Sequence, residues 1–186
     1  MPQSKILIDT NTYIRLAKSI HPLLDAAFGE ENYCLYVLKE LDDEFSRSAR
    51  LQTQYAWVEE NEFQANRKKR LTLSKKNKRE IELTLDFFRQ YKIDNRLSVS
   101  EVDIIYLAHS YVLDIHVVSD DIDMLELADV FNIKTMKTQN LLHLMLECDH
   151  VDMEKVRQIA AYWEYISDKP ANFRQDYIEI FGEKPP

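Results

Sequence analysis

The chain has 186 residues, of which 45% are hydrophobic and 11% aromatic, so it can bury one sizeable core and is too apolar for global disorder. No apolar run reaches the ~20 residues of a membrane span, the N-terminal MPQSKILIDTN lacks the apolar core of a secretory signal, and Cys34 and Cys148 show neither CxxC spacing nor a neighbouring His pattern; a cytoplasmic protein in a reducing compartment is expected, with no membrane partner. The net charge is −8, but residues 67–79 (RKKRLTLSKKNKR) carry eight Lys/Arg and no acid, so a basic island sits on a body with 16 basic against 32 acidic residues.

Only 2 Gly and 5 Pro punctuate the chain, which favours long helices. Ile6, Leu7 and Ile8 read as a short strand buried on both faces. After Asp9, TNTYIRLAKS has helical spacing until His21-Pro22, and PLLDAAF (22–28) reads as a second short helix before Gly29. NYCLYVL reads as a strand. KELDDEFSRSARLQTQYAWVEENEF is polar with helical periodicity, and after the basic stretch KREIELTLDFFRQY is an amphipathic helix. In NRLSVSEVDIIYLAHSYV, Ser98 followed three residues later by Glu101 fits a capping box that opens a helix. DIHVVS and IKTM read as strands, DDIDMLELADVF and TQNLLHLMLE as helices. Residues 151–186 read as two further helices split near Lys169-Pro170.

Strands separated by helical segments require crossovers, so the expected fold is α/β, with three α/β/α layers around a central parallel sheet. The order of strands stays open. The expected organisation is a domain over 1–150, with a helix-rich, partly basic insertion over 46–95, and a C-terminal helical extension over 151–186 packed on it.

Parallel sheets bind ligands beyond the carboxyl ends of their strands. Asp9 ends the first strand there, and Asp120 and Asp121 end HVVS. Glu101 and Asp103 lie in the first turn of the helix before that strand, and Glu40 in the first turn of the helix after CLYVL. Converging carboxylates repel one another, and Mg²⁺ or Mn²⁺ is the natural counter-charge for an all-oxygen set without His or Cys. Each acid also has a plainer role: Asp9, and Asp120 or Asp121, as helix caps, Glu101 as a capping-box partner, Glu40 on a solvent face.

These motifs, ILIDTNTYI, YVLKELDDEF, LSVSEVDIIYLAH and HVVSDDIDM, span residues 4–146, and the chain resembles the PIN-domain ribonucleases, including VapC-type toxins. The resemblance implies a PIN-like fold and a metal-dependent endoribonuclease with Asp9, Glu40, Glu101 and Asp121 as catalytic and metal-holding residues. Asp43 and Glu44 are alternatives to Glu40. At the third position Glu101 stands seven residues before Ala108 where the family usually has Asp, and Asp103 follows two residues on as a further ligand. Asn11, Ser119 and Asp123 would orient the carboxylates, with Asp121 rather than Asp120 at the catalytic position. The implied cofactor is Mg²⁺ or Mn²⁺. The implied partners are an RNA substrate, a protein antitoxin or other regulator, and a second copy in a homodimer. Lys68, Lys69, Arg70, Lys75 and Lys76 of the basic stretch are candidates for holding the RNA backbone.

Two other readings compete. DTNT after a strand and VVSDD resemble motifs of the haloacid-dehalogenase phosphatases, but Asn11 stands where that chemistry needs a general acid. A catalytically silent RNA- or protein-binding module would tolerate Glu at 101.

Overall fold

The computed structural model describes residues 3–186, so the first two residues of the expected 1–150 domain lie outside the described residues. In chain order the elements are β1 (Ser4–Ile8), α1 (Thr10–Ala17), β2 (Tyr33–Tyr36), α2 (Glu40–Arg47), α3 (Ala49–Gln54), a 3₁₀ turn (Ala56–Glu59), α4 (Asn61–Arg67), α5 (Lys75–Asn95), α6 (Glu101–Leu113), β3 (His116–Val118), α7 (Ile122–Val130), β4 (Thr135–Met136), α8 (Thr138–Glu147), α9 (Met153–Tyr165) and α10 (Phe173–Phe181). No helix among the described residues is long and apolar enough to cross a membrane.

The four strands are all parallel and lie in the order β2-β1-β3-β4. Ile6 pairs with Leu35 and His116, and Ile8 with Val118. Side chains alternate across a strand, so β1 feeds two cores. Ile6 and Ile8 join Leu35 and Val118 on one face, packed by α1, α3, α4, α8, α9 and α10. Leu7 joins Cys34, Tyr36 and Val117 on the other, packed by α5, α6 and α7. The continuous apolar run of β1 is what a strand covered on both faces requires. The arrangement is α/β and consistent with three layers.

Three local expectations change. Residues 22–28 run as bends and end in an antiparallel bridge from Phe28 to Tyr33 instead of a helix. Leu23 and Leu24 are buried there, and the Asn66 side chain replaces helical hydrogen bonds by accepting the Leu24 N–H (3.1 Å) and donating to its carbonyl (2.7 Å). The periodic stretch 39–63 breaks into short pieces because Ser48 caps α3 through the Leu51 N–H. The breaks let Leu51, Trp57, Val58 and Phe63 all reach the core. Helix α6 is capped by Ser100, not Ser98, and Asp103, not Glu101, completes the capping box.

The tail helices α9 and α10 fall on either side of Pro170, as the sequence suggests. They carry Val156, Ile159, Trp163, Phe173 and Tyr177 into the same core as β1. The Trp163 indole N–H donates to the Arg15 carbonyl at 2.9 Å.

Candidate active site

The strand order creates the site. From β1 the chain crosses through α1 to β2 on one side, and from β3 it crosses through α7 to β4 on the other. Connections that diverge from adjacent strands leave a crevice beyond their carboxyl ends. Asp9 follows β1 and Ser119, Asp120 and Asp121 follow β3, so both acidic motifs border that crevice. Helix α2 starts at the same edge because it follows β2, and α6 because it leads back into β3.

Asp9 is 5% exposed and caps α1, its Oδ1 accepting the Thr12 N–H at 2.7 Å. Burial pushes its pKa up to about 6; Ser119 and Thr12 pull it back and the Asp120 charge adds to the rise. Ser119 is fully buried, with its hydroxyl against the Asp9 carboxylate and accepting the Asp121 N–H at 3.1 Å. Exposed Asp121 caps α7 through the Met124 N–H at 2.9 Å, and Asp123 is exposed in that helix's first turn. Asp103 is half-buried, and its Oδ2 accepts the Ser100 N–H at 3.1 Å. Burial, then the charges of Asp121 and Asp123, push its pKa up. Asp9, Asp103 and Asp121 thus each commit an oxygen to a backbone N–H at a helix start, where the helix dipole favours negative charge. The plain capping role and a place in the crevice coexist.

Glu101 faces α2 and lines a cleft with Glu40, Asp43 and Glu44. Two residues along a helix is a turn of about 200°, so Glu101 and Asp103 sit on nearly opposite sides of α6. Glu101 is exposed and paired with Arg89, whose Nε donates to it at 2.7 Å and whose Nη2 bonds the same oxygen. On α2, Glu40 is half-buried and faces a cleft shared with His109, and Asp43 is exposed. Glu44, one turn on from Glu40, accepts the Thr10 hydroxyl at 2.6 Å and so sits beside Asp9. Asn11 is exposed and lines a small pocket with Arg50, Gln54, Ser167 and Asp168 instead of bonding the Asp9 carboxylate. The steadying groups at Asp9 are Ser119 and Thr12, and Thr10 holds Glu44.

Asp120 is occupied. Its carboxylate accepts from Arg15 (2.7 Å), from the Thr138 N–H (3.1 Å) and from the Thr138 hydroxyl. Arg15 also donates to Asp168 at 2.9 Å, and Tyr55 donates to the other Asp168 oxygen at 2.8 Å. This buried network ties the tail to the end of β3. Sequence reading missed Arg15, because a lone Arg inside a helix carries no pattern, and expected Thr10 to steady Asp9, whereas its hydroxyl donates to Glu44. It also missed Tyr106, whose buried hydroxyl accepts the Leu38 N–H at 3.1 Å. Burial and the charges of Asp9, Glu40 and Glu44 raise its pKa, which places it among those acids.

The basic stretch divides. Arg67 is 3% exposed and structural: it pairs with Asp42 (2.8 Å), donates to the Val58 carbonyl (2.7 Å) and lies over the Tyr13 ring. Lys69 pairs with Asp25 and Arg70 with Asp42. Lys76 lies 3.7 Å from Glu80. Lys68 and Lys75 are exposed and have no acidic partner among the described residues.

Among the described residues no group of three or more His, Cys, Asp or Glu side chains is drawn close enough to enclose a metal ion. No protein-family model matches the chain, and neither does any curated protein.

Proposed function

We propose that the protein is a metal-dependent endoribonuclease with a PIN-like fold. One observation supports the reading: Asp9 follows β1 and Asp121 follows β3 at the edges of the switch crevice, Asp103 lies within reach of the charges of Asp121 and Asp123, and none of these acids has a Lys or Arg partner among the described residues. Crowded, uncompensated carboxylates in an all-oxygen setting fit a hard divalent cation. Asp9, Asp103 and Asp121 would hold Mg²⁺ or Mn²⁺, with Glu44 in place of Glu40 as the acid contributed by α2. Once bound, such an ion lowers the pKa of its water and neutralises charge on a phosphodiester.

The chain's own residues prepare that chemistry. Ser119 bridges the Asp9 carboxylate and the Asp121 backbone, so the two acids are aimed by one buried hydroxyl. Thr10 fixes Glu44. The Arg15–Asp120–Thr138 network holds the turn after β3 rigid, which keeps Asp121 and Ser119 in register with Asp9. An antitoxin or other protein regulator and a homodimer belong to this proposal as partners of a toxin-like nuclease.

The test is cleavage of a mixed RNA substrate with Mg²⁺ or Mn²⁺, with EDTA, and with Asp9→Asn. Wild type should cut only with metal and the variant should not cut. Full cleavage by Asp9→Asn sinks the proposal. RNA binding by wild type without cleavage gives the catalytically silent module instead.

A further inference from the structure

Between the start of α2, α5 and α6 lies a cleft of about 480 Å³, walled by Leu71 and Leu73 of the connector before α5, by Ile81 and Leu85 of α5, and by Ile105 of α6. A second cleft of about 510 Å³ holds Glu44 and Glu101 and shares Lys39, Glu40 and Ile105 with the first, so the two are continuous along the carboxyl edge. The first is mostly apolar but carries polar groups of both kinds. Arg70 gives one Nη to Asp42; its other Nη is shielded from solvent and has no hydrogen-bond partner. Lys39 and Lys78 add two more cations at the wall, against the carboxylates of Glu40 and Glu82. His109 bonds the Ile105 carbonyl through Nδ1 at 2.8 Å. A carbonyl only accepts, so Nδ1 carries the proton and neutral Nε2 is left with a lone pair. Burial pushes the His109 pKa down, which keeps that form.

We propose that this cleft binds one nucleotide of the substrate strand, adjacent to the phosphate that is cut. The apolar walls suit the faces of a base, Arg70 and Lys78 suit its phosphate, and the His109 lone pair suits an amino or imide N–H on the base edge. The volume lies in the range of small-ligand sites, roughly 300–1,000 Å³. Continuity with the second cleft places such a nucleotide next to Glu44, the acid proposed from α2. The inference rests on the nuclease reading of the acidic edge.

The test titrates the four nucleoside 5′-monophosphates, one at a time, into the full methyl-labelled chain in EDTA, which removes metal chemistry from the readout. At least one nucleotide should give saturable shifts confined to the methyls of Leu71, Leu73, Ile81, Leu85 and Ile105. Lys78→Ala and His109→Ala should each weaken it about tenfold, the loss of one good hydrogen bond. No saturable shift with any nucleotide at millimolar concentration, or shifts elsewhere on the molecule, overturns the proposal, and the shift map decides even if a variant fails to fold. Saturable binding by a wild type that cuts no RNA overturns the nuclease reading and the substrate role of the cleft, but not the binding.

Discussion

Asp9 is both a helix cap and a buried acid, and the two roles pull in opposite directions. Capping holds the carboxylate in place, while burial favours its protonated form, with a pKa of about 6 against an ordinary 3.8. The stability this group contributes is full below 3.8 and is lost as pH rises through about 6; the shift corresponds to about 3 kcal/mol. Asn caps as well as Asp does and never ionises. Asp9→Asn should therefore raise the melting temperature at neutral pH, and the gain should fade as pH falls from about 6 towards 4; thermal melts across pH check this. Mg²⁺ should raise the melting temperature of wild type and leave the variant unmoved, because only a site in the native state is stabilised by mass action. A second prediction separates the acids of α6. Asp103→Asn should lower RNA cleavage by more than the roughly 10–100-fold of an outer-shell change, while Glu101→Gln, which loses an exposed pair with Arg89, should change it little. The opposite ranking in a cleavage assay returns Glu101 to the site. Sequence alone left these two residues open, since both lie in the first turn; the capping box turns Asp103 to the crevice and Arg89 draws Glu101 off.

At the scale of elements, the basic stretch is not one binding strip. Arg67, Lys69 and Arg70 are claimed by Asp25, Asp42 and Val58 while Lys68 stays exposed, and the second half opens α5. Replacing Lys68 and Lys75 with Ala should lower the salt slope of RNA affinity by about 0.7 for each phosphate left without its lysine, whereas Lys69→Ala should matter less because Asp25 already neutralises that residue. Binding titrations across salt concentrations read this directly. Such a division was hidden in the sequence because a run of Lys and Arg looks the same whether or not distant acids claim it. Helix existence was readable wherever a long apolar periodicity ran, as in α5 and α6. Boundaries were less so: a capping signal at Ser98 and one at Ser100 look alike, and the geometry of Asp103 selects the second.

At the scale of the molecule, residues 151–186 are structural. Trp163 is fully buried, bonded to Arg15, and part of the core that holds β1. Trp163→Ala should cost about 3–5 kcal/mol, measured by urea unfolding, and a chain ended at residue 150 should lose its cooperative transition. Retention of a cooperative, wild-type-like transition in the shortened chain would show the tail to be an accessory. Because Asp168 and Asp120 share Arg15, loosening the tail should also disturb the turn that carries Asp121.

The sequence by itself determined the alternation of strands and helices, the burial of β1 on both faces, and the placing of acids at strand ends, because these follow from local periodicity and from the residues that cap helices. The tertiary structure alone decided the order β2-β1-β3-β4, and with it the crevice between Asp9 and Asp121. It also decided which acids remain uncompensated: Asp120 goes to Arg15 and Glu101 to Arg89, while Asp103 faces Asp121 and Glu44 reaches Thr10. KILIDTNTYI shows a strand running into an aspartate. Whether that aspartate meets a cation or another carboxylate depends on residues more than a hundred positions away, and no local pattern records such a pairing.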